Sequence, residues 1–360
     1  MLGPLDRARA SRDMAAGTGA PWNTSPRPNR AAASTGERGL CIWLLPSQPQ
    51  RASYQAKLQG PYIFDVHPFE GGNGRAVAAD VMVAGMTQAQ HQAARRVAWV
   101  TGASRGVGRG IAVALGKAGW VVYLTGRSSA AGRTTRLPGT VEESAAAVSA
   151  AGGTGIGAIC DHRDDTAVAE IAGRIRAEQG RLDLLVNNAW GGYERLSAGT
   201  WQAWQEWTAP LWQQPLELFD AMFTGGVRAH YVALALCAPL LITTPDSLVV
   251  TVSVAIPDAD LGASGAAYAM AKAADDRLAQ AAAQQLKTHK VASVAVHPGW
   301  VRTEGVMLYA GHLDLTGSQS PEGVGRAIAA LAGDQGLLSL TGQAFAVEEL
   351  AARYHIDVRS

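Results

Sequence analysis

The chain has few cysteines, almost no excess charge and no long apolar run, and each shortage excludes a class of protein. Its three cysteines, Cys41, Cys160 and Cys237, are widely spaced and form no CxxC pair. Such a set favours buried thiols in a reducing compartment, so we expect a cytoplasmic protein with no disulfide framework and no metal site. Lys and Arg number 31 against 30 Asp and Glu, which argues against a nucleic-acid partner. No apolar run reaches the ~18 residues of a transmembrane segment.

Residues 1–94 differ in composition from the rest of the chain. They are rich in Gly, Pro, Ser, Ala and Arg, and their apolar islands are short. Because this offers too little apolar surface to offset chain entropy, we interpret them as a disordered N-terminal extension or an over-long gene model. A targeting segment is the alternative, favoured by early arginines, although Asp6 and Asp13 intervene and no apolar core follows. The remaining residues, 95–360, have the length of one domain.

Strand and helix patterns alternate from residue 95 onward. The predicted strands are 97–101, 120–125, 154–160, 183–187, 247–253, 291–297 and one near 343–347. The predicted helices are 106–118, 138–151, 165–179, 215–243, 265–288 and 321–333. This alternation predicts an α/β fold, a doubly wound parallel sheet of the Rossmann type in a single domain, with ligands at the carboxyl ends of its strands.

A glycine-rich turn, TGASRGVG at 101–108, joins the first predicted strand to the first predicted helix. Gly102 would allow the tight turn, Gly106 would let the backbone approach a pyrophosphate, and Gly108 would let the helix pack on the strand. The free N–H groups and the positive dipole end of that helix suit phosphate. A lone glycine-rich turn is weak evidence, but its position between strand and helix predicts a nucleotide site.

Tyr268 and Lys272 lie four residues apart in an alanine-rich helical pattern and so share one helix face. A tyrosine titrates near pKa ~10 and a lysine near ~10.4. A neighbouring positive charge favours the phenolate, so we expect Lys272 to lower the pKa of Tyr268 toward the range of a general acid or base.

Four ordered motifs over residues 95–360 resemble those of the short-chain dehydrogenase/reductase family. They are the TGxxxGxG turn, LVNNAW at 185–190 with Trp190 where glycine is usual, the Tyr-x-x-x-Lys pair, and HPGWVRTE at 297–304. The resemblance implies hydride transfer between a nicotinamide and a carbonyl or alcohol carbon. It also implies cofactor contacts from Gly102, Ser104, Arg105, Gly106, Val107, Gly108, Asp161, Asn188, Ala189, Tyr268, Lys272, Pro298, Val301 and Thr303. For Asn187, a satisfied buried amide that braces the fourth strand is an equal alternative.

The end of the second strand distinguishes NADP from NAD. It reads Leu124-Thr125-Gly126-Arg127 and offers no carboxylate for the ribose hydroxyls of NAD. Arg127 suits a 2′-phosphate, and Arg105 adds a second cation. The alternative is that Arg127 is a solvated loop residue. We predict NADP, with NAD possible.

Two positions depart from the family pattern. The serine that would hydrogen-bond the substrate carbonyl falls at Ser253, an interval before Tyr268 slightly longer than usual. Ser253 could instead be a structural hydroxyl, Val254 or Ala255 could fill the slot, and Ser264 is a distant candidate. Gly226 stands where many members carry an asparagine that holds a relay water, so the proton relay must run differently or more slowly.

The function we predict is NADP(H)-dependent interconversion of a carbonyl and an alcohol. Tyr268 would be the acid or base, Lys272 its electrostatic partner, and Ser253 the support of the carbonyl oxygen. Trp190 and Trp300, beside cofactor motifs, would line a pocket for an apolar or aromatic small molecule. Trp201, Trp204 and Trp207 fit one packed helix face better. We also expect a homo-oligomer. The alternative function is a catalytically weak NADP(H)-binding regulator or scaffold.

Overall fold

The structure is a computed structural model that describes residues 95–261 and 265–360. The predicted extension 1–94 and the candidate Ser264 therefore lie outside the described residues.

Within the described residues, seven strands form one parallel sheet in the order β3-β2-β1-β4-β5-β6-β7. The strands are β1 Val97–Val100, β2 Val121–Gly126, β3 Thr154–Ile159, β4 Leu184–Asn187, β5 Leu248–Val252, β6 Ala292–His297 and β7 Ala344–Ala346. The strand order reverses between β1 and β4, and ligands of doubly wound sheets bind at that switch point. The predicted α/β fold and its strands are confirmed.

Helices cover both faces of the sheet. They are α1 Gly106–Lys117, α2 Val141–Ala150, α3 Asp165–Gln179, α4 Trp201–Thr208, α5 Leu216–Met222, α6 Ala229–Thr243, α7 Ala266–Leu286, α8 Glu304–Met307, α9 Pro321–Ala332, α10 Leu337–Leu340 and α11 Val347–Tyr354. Alanine dominates α7, which explains its length, since alanine has the highest helix propensity.

The predicted helix 215–243 is interrupted. A π-helical segment, Phe223–Arg228, separates α5 from α6. Single π turns within helices occur mostly at functional sites. Here the segment contains Gly226, the position at which the family pattern places asparagine.

Two apolar cores pack against the two faces of the sheet. On one face, Ile111 and Leu115 of α1 meet Ile328 and Leu331 of α9, all fully buried. On the other face, α3 and α6 contribute Ile175 and Leu241 among others. Burial of one such side chain contributes about 1.5–3 kcal/mol. The sheet that carries the site is therefore held rigidly from both sides.

One helical stretch of the described residues, 216–243, is long and apolar enough by length and composition to cross a membrane. Half of its most apolar window is buried within the protein, and core helices of globular proteins meet the same criteria.

Candidate active site

The glycine turn adopts the geometry that its sequence predicts. Gly102 and Gly106 have φ of +65° and +57°, in the left-handed region that glycine favours. A Cβ on Gly108 would lie 2.5 Å from the carbonyl oxygen of Gly102, which is closer than a side chain can approach. Ser104 is buried, and Val107 packs against the core of that face. The start of α1 is thus a backbone surface that a phosphate can approach.

An acidic side chain already contacts that surface. The Gly106 amide donates to Oε2 of Glu304, at 3.0 Å. No acidic residue lies in the first turn of α1, and Arg105 makes no side-chain cap there. The carboxylate of Glu304 stands in for an anion at a helix N-terminus, the position that a dinucleotide pyrophosphate takes in folds of this kind. The residues present therefore fit such a group.

Asn188 and Ala189 join the glycine turn to the end of β4. The Asn188 amide group donates to the carbonyls of Thr101 and Gly102, at 2.9 and 3.1 Å. The Ala189 amide donates to the Thr101 hydroxyl, at 3.0 Å. Asn187 is fully buried, yet neither of its amide atoms has a hydrogen-bond partner among the described residues, so the alternative of a satisfied buried amide does not hold.

Three arginines gather beyond the end of β2. Arg127 pairs with Glu194, and Arg105 donates to the Ser128 hydroxyl at 2.7 Å. Burial first, then repulsion from Arg127 among other charges, lowers the pKa of Arg105. Arg163 forms a bidentate pair with Asp161, which lowers the pKa of that carboxyl. At this edge of the sheet, Asp161 and Glu194 are thus each paired with an arginine.

The segment after β6 brings the last predicted cofactor residues to the same edge. Pro298 is buried, and Val301 forms a parallel bridge with Gln319. The Thr303 hydroxyl caps α8 by accepting from the Val306 amide, at 3.3 Å. A Cβ on Gly106 would lie 3.3 Å from Cγ2 of Thr303. Thr303 therefore packs directly against the glycine turn.

Tyr268 and Lys272 lie on the first turns of α7, as predicted. Lys272 is 6% exposed, and its ammonium donates to Asp275 Oδ2 at 3.1 Å and to the Val252 carbonyl at 3.3 Å. The ammonium also lies 3.8 Å from the centroid of the Trp190 ring. Lys272 therefore lies at the end of β5, in contact with Val252 and with the Trp190 ring.

A second buried partner completes this ion pair. His230 of α6 shares a hydrogen bond with Asp275 through Nδ1, at 2.8 Å, and contacts the Ala189 carbonyl through Nε2, at 2.8 Å. Both His230 and Asp275 are at most 1% exposed. Burial lowers the pKa of Lys272, and Asp275 opposes this. Sequence analysis did not identify His230 or Asp275, because residues 45 positions apart meet only through the packing of α6 on α7.

The prediction that Lys272 lowers the pKa of Tyr268 is wrong. Burial raises the pKa of Tyr268 well above its ordinary value, and Tyr193 and Asp275 raise it further. The Lys272 ammonium lies 6.0 Å from the centroid of the Tyr268 ring, and its hydrogen bonds go to Asp275 and Val252. The positive charge of Lys272 is thus balanced by the Asp275 carboxylate. Tyr268, with its raised pKa, keeps its proton.

Ser253 is not brought to the Tyr268 hydroxyl. It is fully buried, and its hydroxyl donates to the backbone carbonyl of Lys272, at 3.0 Å. The structure corrects the catalytic assignment of Ser253 to the structural alternative, in which this hydroxyl ties the end of β5 to α7.

Trp190 explains the glycine at position 226. A Cβ on Gly226 would lie 2.6 Å from two carbons of the Trp190 six-membered ring. Any side chain there would collide with the indole, because real Cβ atoms do not approach so closely. The indole therefore takes the space in which the family pattern places the relay asparagine.

Aromatic rings surround the Tyr268 phenol. The centroids of Trp190 and Trp207 lie 5.7 and 5.1 Å from that of Tyr268. The Tyr193 hydroxyl lies 3.2 Å from the Tyr268 hydroxyl. Trp190 thus lies beside Tyr268, whereas Trp300 is 53% exposed and makes no aromatic contact among the described residues.

The three tryptophans at three-residue spacing do form one helix, α4, as predicted. Trp201 packs on His312 and Trp204 on Tyr309. Trp207, however, packs on the ring of Tyr268. The prediction of one packed helix face did not include this contact. Trp207 of α4 and Tyr268 of α7 are far apart along the chain, so local sequence patterns do not predict their contact.

Comparison with known proteins agrees with this geometry. A family model described as short chain dehydrogenase matches residues 96–310. Over 273 residues the chain is 34% identical to dehydrogenase/reductase SDR family member 1 of Mus musculus and 32% identical to that of Homo sapiens, which covers 72% of this chain and 82% of each relative. A solved short chain dehydrogenase of Mycobacterium thermoresistibile is 26% identical with a TM-score of 0.61, over 72% of this chain and 86% of that chain.

Proposed function

This chain belongs to the short-chain dehydrogenase family, and we propose that it uses NADP(H) to interconvert a carbonyl and an alcohol on an apolar or aromatic small molecule. Membership makes it an NAD(P)-dependent oxidoreductase. The observation that carries the proposal is the Tyr268 phenol, whose ring packs among those of Trp190, Tyr193 and Trp207, close to a lysine held by Asp275.

The residues around the glycine turn would hold the cofactor. The α1 amides would bind the pyrophosphate, once the Glu304 carboxylate has left the Gly106 amide. Thr303 lies against that turn on the other side. When bound, the nicotinamide supplies or accepts the hydride.

Tyr268 performs the proton chemistry. During reduction the substrate carbon gains the hydride, and its oxygen takes the phenolic proton of Tyr268, which is then replaced from solvent. The raised pKa of Tyr268 suits a group that must carry its proton until the oxygen becomes basic. Lys272, fixed by Asp275 at 3.1 Å, would bind the cofactor beside Tyr268, as the family resemblance implies.

Preference for NADP over NAD rests on the charge beyond β2. Arg105 and Arg127 lie close enough for their charges to interact, and no carboxylate follows β2 in the sequence. The exposed pair of Arg127 with Glu194 is weak, since both side chains contact solvent. A 2′-phosphate would compete for the guanidinium with bidentate geometry.

The aromatic rings around Tyr268 support an apolar or aromatic substrate. The rings of Trp190, Tyr193 and Trp207 pack around the Tyr268 ring, with centroids 5.7, 6.5 and 5.1 Å from its own. A planar carbonyl compound would gain offset or edge-to-face contacts there. Among the described residues, the side chain that hydrogen-bonds the Tyr268 hydroxyl is the neutral Tyr193. This environment suits a neutral ligand.

A second copy of the chain is the partner that we propose. Apolar side chains are exposed where the π-helical segment meets α7, and Phe223, Val227, Tyr231 and Leu278 line a groove there. Tyr231 is 62% exposed, and exposed apolar patches mark association sites. For localisation we propose the cytoplasm, which the free buried thiols Cys160 and Cys237 suit.

The test of the function is Tyr268→Phe. This change removes one hydroxyl and keeps the ring that packs on Trp190 and Trp207. NADPH-dependent reduction of a panel of aryl ketones should fall by about 10² or more, the usual contribution of a positioned acid. NADPH affinity, measured by fluorescence titration, should stay the same.

Tyr354→Phe is the matched control, because it deletes a phenol hydroxyl of α11 that donates to Asp334 Oδ2, at 2.6 Å, and not to a residue of the Tyr268 site. It should keep full activity. If the wild type binds NADPH yet reduces no ketone of the panel, and Tyr268→Phe behaves identically, the regulator or scaffold function is supported instead.

A further inference from the structure

We propose that Tyr193 is the second hydroxyl at the reaction centre and donates a hydrogen bond to the substrate oxygen, the task that the family pattern gives to a serine. The inference rests on the proposed function, since it presumes that a carbonyl oxygen binds at Tyr268.

The geometry suits one shared oxygen. The Tyr193 and Tyr268 hydroxyl oxygens lie 3.2 Å apart. An acceptor placed about 2.8 Å from each would complete a nearly equilateral triangle, within the normal range of O–H···O hydrogen bonds. A carbonyl oxygen can therefore accept from both phenols at once, whereas the free hydroxyls bond to each other.

Packing fixes the ring of Tyr193 in this position. Its centroid lies 5.9 Å from that of Trp190 and 5.4 Å from that of Trp207. The residue is nevertheless 48% exposed, so part of the ring lies at the protein surface beside Tyr268.

The serine that the family pattern would use is engaged elsewhere. The Ser253 hydroxyl donates to the Lys272 carbonyl and has no exposed surface. Residues 254–257, which follow it, are Val, Ala, Ile and Pro and carry no hydroxyl. Among the described residues, the hydroxyl that contacts the acid is that of Tyr193.

The two phenols have different tasks. Although part of the Tyr193 ring is exposed, burial of its phenol group raises the pKa of Tyr193, so it stays protonated and donates without losing its proton. Tyr268 transfers its proton to the oxygen as the hydride reaches carbon, and Tyr193 stabilises the negative charge that develops in between. Each carbonyl that is reduced thus gains one hydride at carbon and one proton at oxygen.

Tyr193→Phe tests this role, and two other deletions are its controls. Tyr309→Phe removes a hydroxyl of the same region that donates to the Leu196 carbonyl, at 2.8 Å. Ser253→Ala removes the buried hydroxyl. We expect ketone reduction by Tyr193→Phe to lose about 10²-fold in kcat, the usual effect of one oxyanion donor, with the NADPH Kd unchanged. Tyr309→Phe should stay active, and Ser253→Ala should lose less than Tyr193→Phe.

The pH profile gives a readout that a purely structural role would not move. Tyr193 contributes to the raised pKa of Tyr268, so Tyr193→Phe should lower that pKa. Reduction needs the protonated phenol and is lost as pH rises through its pKa. The alkaline limb of kcat/KM should therefore move to lower pH in Tyr193→Phe and stay in place in Tyr309→Phe.

Outcomes for Tyr193 and for the function are separable. If Tyr268→Phe is inactive while Tyr193→Phe matches the wild type in kcat and pH profile, the Tyr193 inference is wrong and the function stands. If Ser253→Ala loses more activity than Tyr193→Phe at equal thermal stability, the serine is the donor. A wild type without turnover overturns the function and this inference together.

Discussion

Lys272 and Asp275 form an ion pair inside the protein, with Nζ 3.1 Å from Oδ2 and side chains that are 7% and 0% exposed. They lie one turn apart on α7, and His230 occupies the other carboxylate oxygen. A buried ammonium without a partner would lose its proton or destabilise the fold. Asp275 is therefore the residue that keeps Lys272 charged beneath Tyr268.

Asp275→Asn should destabilise the protein by about 3–5 kcal/mol near neutral pH, because it leaves a buried charge without its partner. The pKa of Lys272 is lowered by burial, so protonation favours the unfolded chain. The loss should shrink as pH rises toward ~10.4, the ordinary lysine value. Denaturant unfolding at several pH values measures this.

Asp276→Asn is the matched control, since that carboxylate pairs with His297 at 2.9 Å and is 26% exposed. Asp276→Asn should reduce the free energy of unfolding only slightly, and this small reduction should not change as pH rises. If both variants lose the same free energy of unfolding, Asp275 has no special role in keeping Lys272 charged.

Gly226→Ala should destabilise the protein by about 1–3 kcal/mol, the usual cost of overpacking. The new methyl group would lie 2.6 Å from the Trp190 ring. In a Trp190→Ala background the same change should cost nothing, since the colliding ring is gone. A double-mutant cycle on thermal unfolding measures the coupling.

Gly173→Ala of α3 is the reference for this cycle, because a Cβ there would meet nothing within 4 Å. It should stabilise the protein by about 0.5–1 kcal/mol through helix propensity. A Gly226→Ala variant as stable as this reference would show that the indole does not occupy the space.

Arg127→Ala should raise the Kd for NADPH about tenfold or more and barely change that for NADH. A charge-assisted hydrogen bond contributes about 1.5–3 kcal/mol, and only NADPH carries the 2′-phosphate. Arg174→Ala, which breaks an exposed pair with Glu178 at 2.7 Å, should affect neither cofactor. Equal losses for both cofactors would disprove the assignment of Arg127.

Glu304→Gln should tighten NADPH and NADH equally, by several-fold. The Glu304 carboxylate accepts from the Gly106 amide, and an anion at a helix N-terminus contributes about 0.3–1 kcal/mol. Neutralising it removes a competitor of the pyrophosphate. Fluorescence titration should show no such gain for Glu322→Gln of α9; weaker binding by Glu304→Gln would mean that the carboxylate helps to hold the cofactor.

Deleting residues 1–85 should leave the thermal stability and cofactor affinity of the remaining chain unchanged. Their composition offers too little apolar surface to repay the entropy of ordering. Thermal melting of the truncated protein checks this, and a markedly lower Tm or an insoluble product would show that the extension packs on the domain.

The order of the elements could be predicted from the sequence because it depends on local patterns. Alternating apolar strands and helices imply a parallel sheet, and the glycine spacing at 102, 106 and 108 requires backbone shapes that neighbouring residues dictate. Tyr268 and Lys272 were found for the same reason, since four residues on one helix share a face.

The surroundings of that pair were decided by tertiary structure. Ser253 has the right residue type, yet packing of β5 on α7 directs its hydroxyl to the Lys272 carbonyl. Tyr193 and Tyr268 are 75 positions apart, and His230 and Asp275 are 45 apart. Which hydroxyl meets which oxygen depends on how helices cross the sheet edge. Burial then set the charge on each group, because the environment that raises the pKa of Tyr268 forms only when these elements pack together.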